Sequence, residues 1–260
     1  MLISLLSLLP YVIAIQLVYV VTGWLVALSQ RDNSIVDILW GPGVLLASLS
    51  GYLLSGTSNP LARMIVLLTA VWAARLAGQI AVKNAGKGED RRYAAWRKQW
   101  GSAAWWKSLV TVFLFQGFLM LVVALTSLAV SVNPYEMNLG VVEVVGIGVF
   151  LVGLGFEAIA DYQRYRFSQR RQNQGKLLTT GLWRYSRHPN YFGEAVVWIG
   201  IGLMAYPLVG AWAAVSPLVV FTLVRLVSGV PIAERHYQGR ADFRNYAKRT
   251  NTFIPGPPRG

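Results

Sequence analysis

Seven apolar segments, each close to the length of a bilayer crossing, restrict what this 260-residue chain can fold into. A spanning helix takes about 20 mostly apolar residues. The segments are Leu2–Leu28, Ser34–Leu54, Leu61–Val82, Ser108–Val132, Leu139–Ala160, Tyr191–Tyr206 and Leu208–Val227. The last two are short and meet at Pro207, where they read as a tight helical hairpin, so the range is six to seven crossings. Backbone polar groups inside a bilayer must be bonded within the segment itself. The fold class is therefore all-α, a polytopic membrane protein. No repeat or low-complexity tract divides the chain, and a single integral membrane domain over 1–260 is expected. The first thirty residues lack a basic leader region and a small-residue cleavage pattern, so they read as a retained helix.

Charge sets the orientation. Only 13% of residues are charged, yet the net charge is +13. A soluble chain this basic would suggest nucleic acid. In a membrane chain the excess marks cytosolic loops that face anionic lipid or an anionic cofactor. No nucleic-acid partner is expected, and no obligate protein partner. Lys83, Lys87, Arg91, Arg92, Arg97, Lys98 and Lys107 lie between the third and fourth segments. Arg164, Arg166, Arg170, Arg171, Lys176, Arg184 and Arg187 lie between the fifth and sixth, and six more cations follow the seventh. The opposite loops carry almost none. The positive-inside rule puts loops 83–107 and 164–190 and the tail 228–260 in the cytosol, and seven crossings then leave the N-terminus outside. The chain has no cysteine, which excludes disulfides, thiolate nucleophiles and Cys-ligated metals, and two histidines argue against a His-rich centre, so no metal is expected.

Ionisable groups are costly in a bilayer and mark candidate sites. Asp37, Arg75, Glu157, Asp161, Glu194 and Arg225 all fall toward the cytosolic ends of their segments, with Gln116 a neutral companion; Glu143 alone lies near the outer face. Glu157 and Asp161, four residues apart, share one helix face. An internal ion-pair network accounts for any one of these residues. The gathering at one depth, beside two basic loops, favours a cavity open to the cytosol.

The densest motif runs from Gly175 to Glu194, reading GKLLTTGLWRYSRHPNYFGE, and feeds the start of the sixth segment. Pro189 suits a first helical turn. The free N–H groups and positive dipole there favour an anion. Arg184, Arg187 and His188 add charge, Asn190 adds an amide, and Gly193 permits close backbone approach. A phosphate or carboxylate seat follows; the alternative is a juxtamembrane basic loop touching lipid headgroups.

The run Tyr185–Glu194 followed by Trp198 resembles the C-terminal signature of the steroid 5-alpha-reductase superfamily. That group also takes in sterol reductases and, more distantly, isoprenylcysteine carboxyl methyltransferases. Glu157–Tyr162, Glu234–Tyr237, Asn245–Arg249 and Phe253–Pro255 fit the same pattern, and Val36–Gly41, Trp72–Leu76 and Gly88–Tyr93 are similar to an uncharacterised bacterial branch. The resemblance implies a seven-helix fold in a bacterial inner membrane, with NADPH held from the cytosolic side. It implies cofactor contacts at Asp161, Asn190, Glu194, Trp198 and Tyr237; Lys176, Tyr185, Arg187, His188 and Arg235 from the basic stretches are counted with them. Where characterised steroid reductases carry a Gln-Glu pair in the second helix this chain has Val36-Asp37, and their catalytic tyrosine in the third aligns with Trp72.

The expected activity is NADPH-dependent reduction of a conjugated carbon–carbon double bond in a lipid or steroid-like (3-oxo-Δ4) substrate. Asp37 is the candidate polariser of the carbonyl, with Arg75 either its ion-pair partner or the group that keeps it ionised. Tyr93 is a candidate proton donor if its loop folds back over the cavity. Two other classes stay open: a SAM-dependent methyltransferase, and a non-enzymatic lipid binder or transporter. Paired glutamates are usual before the tail in methyltransferase relatives, whereas Ala233-Glu234-Arg235 has one acid, and transporter-like inverted repeats are not detected.

Overall fold

A computed structural model describes every residue except Asn138, His236 and Gly260. Among the described residues there is no β-strand, only an isolated parallel bridge between Ser186 and Asn251. The helices are α1 (Leu2–Gln30), α2 (Ile35–Ser55), α3 (Pro60–Asn84), α4 (Arg91–Trp100), α5 (Ala104–Ser108), α6 (Phe115–Ser131), α7 (Val141–Ser168), α8 (Pro189–Val209), α9 (Val215–Thr222), α10 (Val230–Arg235) and α11 (Ala241–Arg249). Local chemistry sets several ends. Gly56 closes α2 at φ 64, a left-handed conformation that glycine adopts without steric cost. Asn59 opens α3 by accepting from Leu61 N, and Pro60 sits where its missing N–H costs nothing.

The chain is an all-α polytopic membrane protein, and among the described residues six helical segments are long and apolar enough to cross a bilayer. Two differ from the runs read off the sequence. The fourth extends from Arg91 to Ser131, because the polar stretch expected as a loop winds into α4 and α5 ahead of α6. The sixth covers 47 residues, Pro189–Arg235. Unbroken, it would span roughly 70 Å at 1.5 Å per residue, over twice the ~30 Å hydrocarbon core. It is broken instead. Gly210 turns the chain at φ 55, three residues beyond the break expected at Pro207, which lies inside α8. The chain then doubles back, so that Val224 and Val230 pack with Tyr191, Phe192, Ala195 and Phe253.

The contacts divide the chain into two compact units, Met1–Leu139 with Ala205–Val215, and Gly140–Met204 with Ser216–Gly260. In the first, α2 packs against α1, α3 and α6. A side-chain carbon at Gly41 would lie 3.1 Å from the Ala73 backbone, so α2 and α3 meet closely there. In the second, α7 and α8 touch backbone to backbone. A carbon added at Gly153 would fall 2.5 Å from Val197 N and 2.7 Å from Gly193 O; one added at Gly193 would fall 2.7 Å from Glu157 N. Gly146 and Gly200 repeat the arrangement one heptad along on each helix. In lipid, where apolar area gives no driving force between helices, small residues let backbones approach and van der Waals packing holds them. Gly193, expected to admit a ligand, therefore admits the neighbouring helix.

Candidate functional site

Each unit carries its own polar cluster. The first is built where α2 begins. Asp37 lies in the first turn of α2, where an acid is favoured by the helix dipole. The linker before α4 is fastened to that helix start. Glu89 accepts from Asn33 N at 2.8 Å and pairs with Arg97 at 2.8 Å. Asp90 caps α4 by accepting from Arg92 N at 2.9 Å. Its burial works to raise the carboxyl pKa, but the hydrogen bonds from Arg92 outweigh that and hold it below the usual value.

So fastened, α4 drives Tyr93 inward. The ring is buried among Ala27, Val36, Val112 and Phe113. Its hydroxyl donates to Asp37 Oδ1 at 2.7 Å and accepts from Gln116 Nε2 at 3.3 Å. Arg92 Nη2 meets the other carboxylate oxygen of Asp37 at 2.9 Å. The loop folding back thus brings Tyr93 to Asp37. The cation at 2.9 Å from Asp37 is Arg92; Arg75, one of the candidate partners read from the sequence, lies partly buried on α3. Trp72 is fully buried and meets Trp40 edge-on at 6.3 Å between ring centres. A phenol does stand beside the α2 acid, and it comes from α4 rather than α3.

The second cluster surrounds the Arg-His-Pro-Asn run. The tail lies along this loop: Arg187 N donates to Asn251 O at 2.8 Å, Ser186 Oγ to Phe253 O at 2.7 Å, and Gly256 N to Tyr185 O at 3.1 Å. Arg187, expected to meet a cofactor phosphate, directs all five N–H groups into its own chain. Nε and Nη2 reach the two Glu234 oxygens at 2.8 and 3.3 Å, Nη2 also reaches Thr252 Oγ1 at 2.9 Å, and Nη1 reaches the carbonyls of Ala247 and Thr250 at 3.2 and 2.9 Å. His188 places Nε2 3.0 Å from Glu234 Oε1 and stacks on Tyr191 at 5.4 Å. Burial pushes the His188 imidazole below its usual pKa, with the Glu234 contact opposing.

These groups border a cavity of about 330 Å³, at the small end of the ~300–1,000 Å³ usual for ligand clefts. Of the expected cofactor residues, Lys176, Arg187, His188 and Tyr237 line it, with Arg164, Trp183, Glu234, Phe243 and Tyr246. Neither Lys176 nor Arg164 forms an ion pair among the described residues, though Arg164 lies over the Trp183 ring at 5.6 Å. Asp161, Asn190, Glu194 and Trp198 gather instead along α7 and α8. Asn190 Nδ2 donates to Asp161 Oδ1 at 3.2 Å, while Asn190 Oδ1 is buried with no partner among the described residues. Glu194 and Trp198 are buried; Tyr185 and Arg235 are exposed. Arg92 and Arg164 were read from the sequence only as loop cations, and Glu234 as a lone acid before the tail, none of them as a site residue. Asp90 two residues ahead of Arg92, a helix-cap spacing, is the one local signal that marked any of them.

The fold and its two clusters define a multi-pass, all-α membrane protein with a phenol–carboxylate pair and a basic, aromatic-lined cavity. The chain belongs to the family DUF1295, described as proteins of unknown function, which it matches over residues 23–250. It is also similar to 3-oxo-5-alpha-steroid 4-dehydrogenase 1 of Mus musculus and of Rattus norvegicus, at 30% identity over 111 residues in each case. That stretch is 42% of this chain and 40% of each relative, so the chain spans less than half the length of the curated relatives it matches. The relationship to steroid 5-alpha-reductases is distant and at the level of the superfamily. No solved structure matches the chain significantly.

Proposed function

We propose that this protein is an NADPH-dependent reductase of a conjugated carbon–carbon double bond in a lipid or 3-oxo-steroid-like substrate. The observation that carries the reading is the Tyr93–Asp37 hydrogen bond, flanked by Gln116 and Arg92. Reducing an enone requires a group that polarises the carbonyl and a source of one proton. The Tyr93 ring is buried, and its one O–H, donated to Asp37 in the empty site, suits both tasks once it turns from Asp37 to a substrate carbonyl, since preorganised donors act most strongly where water is excluded. Gln116 keeps the Tyr93 oxygen in place, and Arg92 balances the Asp37 charge. Arg75 remains a further candidate on the neighbouring helix.

The cofactor would supply the hydride. The residues of the second unit fit such a group: Asn190 offers a buried acceptor, Lys176 and Arg164 offer cations with no ion pair among the described residues, and Tyr237 and Trp183 offer ring faces. Asp161 orients Asn190 through its amide. NADPH titration of the purified protein should give saturable binding that weakens in Asn190→Ala by roughly 2–13-fold, the equivalent of about 0.5–1.5 kcal/mol for a hydrogen bond from a neutral cofactor donor to the amide oxygen. Tight binding of S-adenosylmethionine with none of NADPH would replace the reductase by a methyltransferase.

The proposed topology is seven crossings in a bacterial inner membrane, with the N-terminus outside, as a single integral domain. The doubling-back at Gly210 and the concentration of cations in 83–107, 164–190 and 228–260 support it. Because the chain has no cysteine, single cysteines at Ser58 and Asn173 should label with an impermeant maleimide from outside and inside respectively. Labelling of both from one side overturns the topology.

A further inference from the structure

His188 is buried, yet its two ring nitrogens face different surroundings. Nε2 is 3.0 Å from Glu234 Oε1, the same oxygen that takes a 2.8 Å hydrogen bond from Arg187 Nε. An oxygen in that position is an acceptor, so the proton of this contact sits on Nε2. The neutral ring then has its lone pair on Nδ1, which has no partner among the described residues, and the residue borders the cavity. The charged and titratable groups around the ring are Glu234 on α10, Arg187 beside it, Arg164 on α7 and Tyr191 on α8, with Lys176, Tyr237 and Tyr246 farther along the cavity wall. Two of these act against a charged ring: Arg187 and Arg164 repel it, and burial adds to them.

We propose that Glu234 and His188 form a proton-uptake pair, in which His188 gains a proton when a phosphate-bearing ligand enters the cavity and presents Nδ1–H to it. In the empty cavity the ring is flanked by one carboxylate and two guanidinium groups. With a phosphate present it lies between two anions, carboxylate at Nε2 and phosphate at Nδ1, and the charged form becomes the favoured one. Glu234 acts as a positioning residue: it fixes which nitrogen carries the resident proton and so which one is left to meet the ligand. The ring gains one proton from solvent, and no other bond changes. The inference rests on the cofactor reading above, from which it takes the phosphate.

Calorimetric titration of the intact protein with NADPH, in two buffers of different ionisation heat, reads proton uptake directly. Uptake of a fraction of one proton is expected near pH 7.5, and affinity should tighten by up to about tenfold per unit as pH falls toward 6.5. His188→Gln should abolish both while retaining weaker binding. Because that variant could fold poorly, ¹⁵N-histidine spectra provide a second measure: the chain has only two histidines, and His236→Gln leaves one signal set to follow. The signal should pass from a neutral Nε2–H ring to an imidazolium on adding NADPH. NADPH binding with no uptake, or with equal uptake in His188→Gln, overturns the pair while leaving the cofactor reading standing. Failure of NADPH to bind at all removes the cofactor reading. Sulfate, which does not titrate in this range, then tests the pair itself: a shift to imidazolium sustains it, and an unchanged spectrum at saturating sulfate overturns it.

Discussion

Tyr93→Phe should lower single-turnover NADPH oxidation on an accepted enone lipid by about 10²–10⁴-fold, the usual contribution of a positioned proton donor. NADPH affinity should stay within error of the parent, because among the described residues the Tyr93 hydroxyl bonds Asp37 and Gln116 and none of the proposed cofactor groups. The variant keeps the ring that packs against Ala27, Val36, Val112 and Phe113 and loses only the hydroxyl that joins Asp37 to Gln116. Its cost in stability is therefore that of a hydrogen bond to a charged group, about 1.5–3 kcal/mol. Asp37→Asn retains a side chain that can both donate and accept, and should be milder than Asp37→Leu, which removes both capacities. The competing account makes Asp37 a tie between α2 and α4. Its pair with Arg92 is one-quarter exposed on the Asp37 side and 42% exposed on the Arg92 side. A pair that open is worth ~0–1 kcal/mol, far below the ~3–5 kcal/mol for breaking a buried one. The tie therefore predicts full turnover in every variant, with stability losses set by the Tyr93 hydrogen bond and this open pair alone. Wild-type turnover in Tyr93→Phe would remove the phenol from the chemistry.

What could be read from the sequence follows from which costs a sequence displays. An acid in an apolar segment is visibly expensive, so Asp37 could be singled out with no knowledge of its neighbours. Its partner could not. Arg75 shares the membrane with it, whereas Arg92 sits in a polar stretch whose return to the start of α2 depends on Glu89 accepting from the backbone of Asn33. Contacts from a side chain to a distant backbone group leave no pattern in the residue types. The glycines of α7 and α8 are a contrary case. Their seven-residue spacing, Gly146 with Gly153 and Gly193 with Gly200, is written in the sequence, and it became interpretable once both helices were seen to share it. The hairpin was legible as two short apolar runs, while its turn falls at Gly210, where a left-handed residue is needed, rather than at the proline.

Arg187→Ala should strongly destabilise the second unit. A guanidinium in a basic motif reads equally well as a phosphate ligand or a structural clamp, and the acceptors that decide between them, the carbonyls of Ala247 and Thr250, lie some sixty residues downstream. Truncation would leave Glu234 without its bidentate partner in a site where the two side chains are only 10% and 20% exposed. Loss of one member of such a pair costs ~3–5 kcal/mol. It would also strand two carbonyls and the Thr252 hydroxyl that now hold the tail along the Tyr185–His188 loop. The expected result is a markedly lower thermal midpoint, together with rapid proteolysis at Ala241–Pro258 under conditions where the parent tail survives. Arg187→Lys should rescue little, because an ammonium has three donors at one point and cannot span five acceptor directions. A cofactor ligand would behave differently. If Arg187→Ala keeps the parent's thermal midpoint and protected tail but loses NADPH binding, the guanidinium serves the phosphate, and the clamp geometry belongs to a state that the ligand displaces.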